Sequence, residues 1–416
     1  MRPWRVYPRH KLDLRAGDLA YALAASALAR APAEIEQAIE AEAGANTLVC
    51  FSVRSAFELL LDALVLRPGD EVLVSAVTHP DMPRIIERHG LVAVPVDLDV
   101  STLAPRIDAI ERALTPRTRV VVVAHLFGGR ADIRPIAEIA RQHGLLLVED
   151  CAQSFAGDFG DSHAAISLFS FGSIKTCTAL GGAIARVRGP ELLARMRALQ
   201  EDWPRQRRAQ YVARVLRFAG LLLLGVPSLY GLFVRAGALF GADVETLVNK
   251  SVRALKPPSG DVDAAFSHWA RRRPSAPSLA LLRHRLRTFD AARLRARAAR
   301  GEALLAALPL HLVHPGDAAL ERTHWVFPVV TADVSTFVER LRASGFDATR
   351  ATTSIDVVRA PAGRDEPETA RWLIDNVVFL PAYPELPARD FRRLEQTLAQ
   401  GGAEDVTAVA TAEMLE

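Results

Sequence analysis

The sequence predicts an α/β protein: a large domain with a mostly parallel sheet between helices, plus a smaller C-terminal α+β domain. Two observations carry this. From about residue 46 to 190, short apolar runs alternate with helix-length segments, the rhythm of repeated βα units. Most of those runs are apolar without alternation, as strands covered on both faces are. Taken in order, strands are expected at Glu71 to Ser75, Val92 to Val96, Arg119 to Ala124, Leu145 to Glu149, Ala165 to Phe171 and Ala183 to Val187. Between them Arg54 to Leu66 and Ile133 to His143 read as helices, the second stopped by Gly144.

Residues 1–199 form the large domain with its N-terminal segment, and 200–262 interrupt the βα rhythm as an apolar helical insertion. Within it, Phe218 to Val234 carries no charge, but Gly225, Pro227 and Ser228 break it near its middle. A transmembrane span is not expected there. A hairpin packed on the protein or on a second copy is one reading, and shallow peripheral contact with a membrane, flanked by Arg214, Arg217 and Arg235, is the other. Residues 263–416 supply a linking helix over Leu279 to Leu308 and the small domain. There His324 to Val330 and Val377 to Leu380 read as strands, and Val334 to Ala343 and Asp390 to Gln400 as helices.

Composition narrows the function. Of 416 residues, 50% are hydrophobic and 24% charged, enough for a sizeable core. The formal charge of +3, from 51 basic and 48 acidic residues, gives no support to a nucleic-acid binder. Cys50, Cys151 and Cys177 have neither the number nor the spacing of a disulfide framework or a zinc site, so no metal and a reducing compartment are expected. Charges at Lys11, Asp13, Arg15 and Asp18 interrupt any secretory leader, and the expected location is cytoplasmic.

The chemistry-bearing residues fall at strand ends, where open parallel sheets gather ligands. Asp150, His125 and Ser170 all lie at or near such ends. Twenty-five residues after Asp150, Lys175 closes the run Ser170-Phe171-Gly172-Ser173-Ile174-Lys175. A lysine able to form a Schiff base, with an acid placed to keep a pyridine nitrogen protonated, is the minimum that pyridoxal 5'-phosphate (PLP) requires of a protein. Phe169, Phe171 and Ile174 offer the lysine an apolar approach that would lower its pKa.

Five stretches in order, Arg67-Pro68-Gly69-Asp70-Glu71-Val72, Leu114-Thr115-Pro116-Arg117-Thr118, His125-Leu126-Phe127-Gly128, Glu149-Asp150-Cys151-Ala152-Gln153 and Ser170-Phe171 leading to Lys175, resemble the DegT/DnrJ/StrS-type sugar aminotransferases. These are PLP enzymes of the aspartate-aminotransferase fold. Weaker echoes continue to Leu380-Pro381-Ala382-Tyr383-Pro384. The resemblance implies an amino group moved from glutamate to a keto sugar carried on a nucleotide, through Lys175, in a homodimer. It implies Asp150 against the pyridine nitrogen, Gln153 on the phenolic oxygen, Ser170 on the phosphate, and His79 where an aromatic ring often stacks.

Three places depart from the pattern. Val53-Arg54-Ser55 stands where many relatives read Gly-Thr-Ala, so Arg54 and Ser55 at a helix start become phosphate candidates. The stretch after the lysine shortens to Thr176-Cys177-Thr178-Ala179-Leu180-Gly181-Gly182. Where relatives carry an Asn and an Arg from the other subunit, this chain has Arg271 and Arg273, for which a solvated arginine run is the competing reading. Such departures also admit a non-catalytic binding or regulatory protein on the same fold.

Overall fold

A computed structural model describes residues 4–160, 163–239, 269–350 and 355–400. Seven strands form the central sheet: β1 (Thr47–Cys50), β2 (Glu71–Ser75), β3 (Val92–Val96), β4 (Thr118–Ala124), β5 (Leu146–Asp150), β6 (Ile166–Ser170) and β7 (Ala183–Val187), in the order β1-β7-β6-β5-β4-β2-β3. Neighbours from β6 across to β3 pair in parallel, while β7 runs antiparallel to both β6 and β1. The sheet is therefore mostly parallel, as the unalternating apolar runs require.

Burial explains that pattern directly. Val72, Val74, Val120, Val122 and Val148 turn to one core, with α3 (Val53–Leu64, following α1, Ala16–Leu28, and α2, Pro32–Ala43). Leu73, Val121, Val123 and Leu147 turn to a second core on the other face, with Ile110, Ile136 and Ile139 from α5 (Ile107–Ala113) and α6 (Arg134–Gln142), α4 being Asp81–Arg88. Both faces are covered, so successive strand residues are apolar whichever way they point.

The helical segment after α7 (Pro190–Glu201) packs on the large domain. It begins with α8 (Arg208–Leu224), which buries Tyr211, Val215 and Phe218 in a third core with Phe169, Phe171 and Leu180. The turn at Gly225 and Val226 leads to α9 (Pro227–Leu239), anchored by the Tyr230 hydroxyl on Asp347 Oδ2 at 3.0 Å. No single helix among the described residues is long and apolar enough to cross a membrane, and these two meet at 96°. Residues 240–262 lie outside the described residues.

The expected linking helix over 279–308 is two helices, α10 (Ala276–Arg287) and α11 (Ala291–Ala306). Asp290 separates them because its side chain accepts the Arg293 amide at 2.9 Å, capping a new helix. Beyond it β8 (Phe327–Val330), β9 (Thr349–Arg350) and β10 (Val377–Leu380) form an antiparallel sheet in the order β8-β10-β9. With α12 (Val334–Ala343), α13 (Glu368–Asn376) and α14 (Ala388–Ala399) it makes the smaller α+β unit around Phe327, Leu341 and Leu394. The strand expected from His324 starts instead at Phe327, since His324 takes a left-handed φ of 44° that an extended strand excludes.

Candidate active site

Because β4, β5 and β6 are parallel, their carboxyl ends share one edge. That edge receives His125 after β4, Asp150 as the last residue of β5, and Ser170 as the last residue of β6. It also receives Ser52, the cap of α3, whose side chain accepts the Ser55 amide at 3.1 Å.

Asp150 is buried, and the Ala152 amide donates to its Oδ1 at 3.0 Å. Burial pushes its pKa up, against the Ala152 hydrogen bond and the favourable charge of Lys175. A carboxylate in this state is suited to an incoming cationic N–H donor. Behind it His125 Nε2 donates to Glu149 Oε1 at 2.9 Å, the Ala131 amide donates to His125 Nδ1 at 3.2 Å, and Ser167 donates to the other Glu149 oxygen at 2.7 Å. Those bonds, one at each ring nitrogen, fix the orientation of the imidazole. His125, Glu149 and Cys151 bring ligand atoms within 4.8 Å of one another, but the imidazole and carboxylate are already bonded to each other and burial holds the thiol well above its usual pKa.

Lys175 is half-buried. Its loop turns at once after β6: the Lys175 amide donates to Gly172 O at 3.1 Å, and Thr178 Oγ1 donates to the same carbonyl at 2.6 Å. The shortened stretch is held from outside as well, the Cys177 amide donating to Asp13 Oδ2 at 2.6 Å and Arg297 Nη2 to Thr176 Oγ1 at 3.1 Å. Lys175 Nζ lies 4.3 Å above the ring of Trp325, whose Nε1 donates to Ile174 O at 2.8 Å. His10 Nε2 donates to that carbonyl too, at 2.9 Å. Burial lowers the lysine's pKa from 10.5 to about 8, with Asp150 opposing the shift and Arg54 adding to it.

Of the other expected residues, Gln153 Oε1 accepts the Phe127 amide at 2.9 Å, where Phe127 takes a left-handed φ of 57°. Ser170 Oγ sits beside the Gly172 amide at 3.4 Å. Ser55 is fully buried, its hydroxyl 2.9 Å from that of Ser52. Arg54 is turned to Asp81, Nη1 to Oδ2 at 2.6 Å, and stacks 4.2 Å over Trp269. His79 is half-exposed and accepts the Asp81 amide on Nδ1 at 3.2 Å. Arg271 pairs with Glu58 at 3.0 Å and Asp62 at 3.0 Å, and Arg273 with Glu36 at 2.9 Å, all within the same chain. Sequence reasoning missed His10 and Trp325, whose contacts with the lysine loop span more than 150 residues and leave no local signature.

The fold is one shared with solved aminotransferases. The structure of the aminotransferase TlmJ from Streptoalloteichus hindustanus superposes with a TM-score of 0.66 at 19% identity, over 96% of this chain and 98% of that one. A Bacillus subtilis structure, NtdA with bound PMP, gives 0.66 at 16% identity, over 93% and 82%. The sequence is similar as well: residues 29–223 match the DegT/DnrJ/EryC1/StrS aminotransferase family. The chain is 37% identical over 151 residues to an L-glutamine:2-deoxy-scyllo-inosose aminotransferase of Streptomyces kanamyceticus, 35% of each chain. It is 32% identical over 180 residues to a GDP-perosamine synthase of Caulobacter vibrioides, 42% of this chain and 48% of that one. The chain thus spans half or less of the length of the curated relatives it matches.

Proposed function

We propose that this chain is a PLP-dependent aminotransferase that moves an amino group, with glutamate as the donor, onto a keto sugar linked to a nucleotide. The observation that carries the reading is the pair made by Lys175, with a pKa of about 8, and the buried Asp150 on the same sheet edge. The residues fit the cofactor: an acid short of donors for its ring nitrogen, Gln153 with its Nε2 still to donate, and hydroxyls of Ser170 and Ser55 beside the start of α3 for its phosphate. PLP, when bound, supplies the electron sink that lets a substrate Cα–H bond break.

The chain's own side chains do the rest. A lysine half in its neutral form near pH 8 can attack a carbonyl carbon and, once released, take a proton and return it. The Trp325 face, 4.3 Å from Nζ, attracts the amine while it is charged. Asp150 would keep the cofactor's ring nitrogen protonated, and the His125–Glu149–Ser167 chain fixes the strand ends around it. A cytoplasmic homodimer is part of the same proposal, since folds of this kind build closed two-fold assemblies.

The test is covalent. Protein incubated with PLP and reduced with borohydride should carry the pyridoxyl group on the peptide containing Lys175, and Lys175→Ala should carry none. Labelling elsewhere, or none in the wild type, ends the proposal. Amino donors and nucleotide-linked keto sugars are then screened for half-reactions.

A further inference from the structure

Helix α8 presents Tyr211, Arg214, Val215 and Phe218 on one face, at i, i+3, i+4 and i+7, and buries all four. Three belong in a core; a guanidinium does not, because removing it from water costs several kcal/mol unless a partner compensates. Arg214 is 9% exposed. Its Nη2 donates to Ser173 Oγ at 2.6 Å, and its Nε is buried with no partner. Among the described residues it makes no ion pair, and the cations Arg54 and Arg217 lie near enough to disfavour its charge further. Burial and these neighbours lower its pKa to about 10.

Arg54, by contrast, is committed to a carboxylate, Asp81, and the arginines expected to reach a phosphate are too: Arg271 pairs with Glu58 and Asp62, and Arg273 with Glu36. Arg54 also repels Lys175, so Arg214, Arg54 and Lys175 share one positive region. The Ser173 held by Arg214 stands between Ser170 and Lys175, and Arg54 is the second residue of α3, at its positive end. A buried cation without a counter-ion, among other cations and hydroxyl donors, marks where an anion sits.

We propose that Arg214 is the in-chain counter-ion of a phosphate monoester bound between α8, Ser173 and the start of α3. On the proposed function above, on which the ligand's identity rests, that group is the cofactor's 5'-phosphate. The guanidinium sought at Arg271 would then come from the helix that interrupts the βα rhythm, and occupancy of the site would tighten the docking of α8.

The experiment uses the full chain freed of cofactor. Inorganic phosphate, compared with chloride at matched ionic strength, should raise the thermal midpoint of the wild type, much less that of Arg214→Met, and partly that of Arg214→Lys. Affinity for PLP should fall about tenfold to a hundredfold in Arg214→Met, the range for hydrogen bonds to a charged group, while pyridoxal, which lacks the phosphate, binds as before. Should Arg214→Met not fold, Ser173→Ala, which frees the guanidinium, should show a smaller loss of the same kind. An unchanged phosphate response, or equal weakening toward PLP and pyridoxal, would overturn the proposal. A wild type that answers to phosphate through Arg214 but captures neither aldehyde on Lys175 would sink the proposed function and leave the anion site standing.

Discussion

The ionisation of Lys175 is the property on which amine chemistry at this edge depends, and it can be measured without substrate. A lysine of pKa 10.5 is neutral in about one molecule per thousand near pH 7.5, and one of pKa about 8 in roughly a quarter. The structure therefore predicts ~200-fold more free amine at Lys175 than at an ordinary surface lysine. Competitive labelling of the cofactor-free protein with acetic anhydride across pH, followed by mass spectrometry of the Lys175 peptide, reads this directly. Labelling should turn upward near pH 8. In Asp150→Asn the anion that holds the proton on is gone, so the inflection should move to lower pH. Stability carries the same signature. Between about pH 8 and 10.5 the unfolded chain holds the lysine proton that the folded chain has released, so this group's contribution rises with pH across that window. An inflection near 10.5 in the wild type, or a shift to higher pH in Asp150→Asn, would refute the burial and pairing described for these two residues.

Gly128 has a φ of +93°, and a Cβ there would stand 2.4 Å from the Trp325 amide nitrogen and 2.7 Å from Thr323 Oγ1. Gly128→Ala should cost about 2–3 kcal/mol in urea unfolding and weaken labelling selectivity at Lys175 by displacing Trp325. Glu149→Ala strands the buried His125 Nε2 and Ser167 hydroxyl; a loss of about 3 kcal/mol is expected in the same assay. Ser52→Ala removes the α3 cap and should cost about 1 kcal/mol, with affinity for inorganic phosphate falling in parallel if the helix start contributes to the anion site.

The sheet was legible because a strand covered on both faces must be apolar at successive residues, a pattern few other elements share: β2, β3 and β7 begin and end where the apolar runs do. Strand β1 was not, since four residues, Thr47–Cys50, are too short to display a period and find their partner more than 130 residues away in β7. The capping aspartate at 290 was visible in the sequence, yet the arginine–alanine pattern continues across it and hides the break between α10 and α11. At the site the same division holds. Asp150, Ser170 and Lys175 follow from where strands end, whereas Trp325 and His10 reach the lysine loop only through tertiary contact. Arg214 lies between these cases. Its spacing from Tyr211, Val215 and Phe218 already places it on one face of a helix, but an arginine on a helix is ordinarily solvated. Only once that face is known to be the buried one does the lack of a carboxylate partner among the described residues become a statement about a ligand.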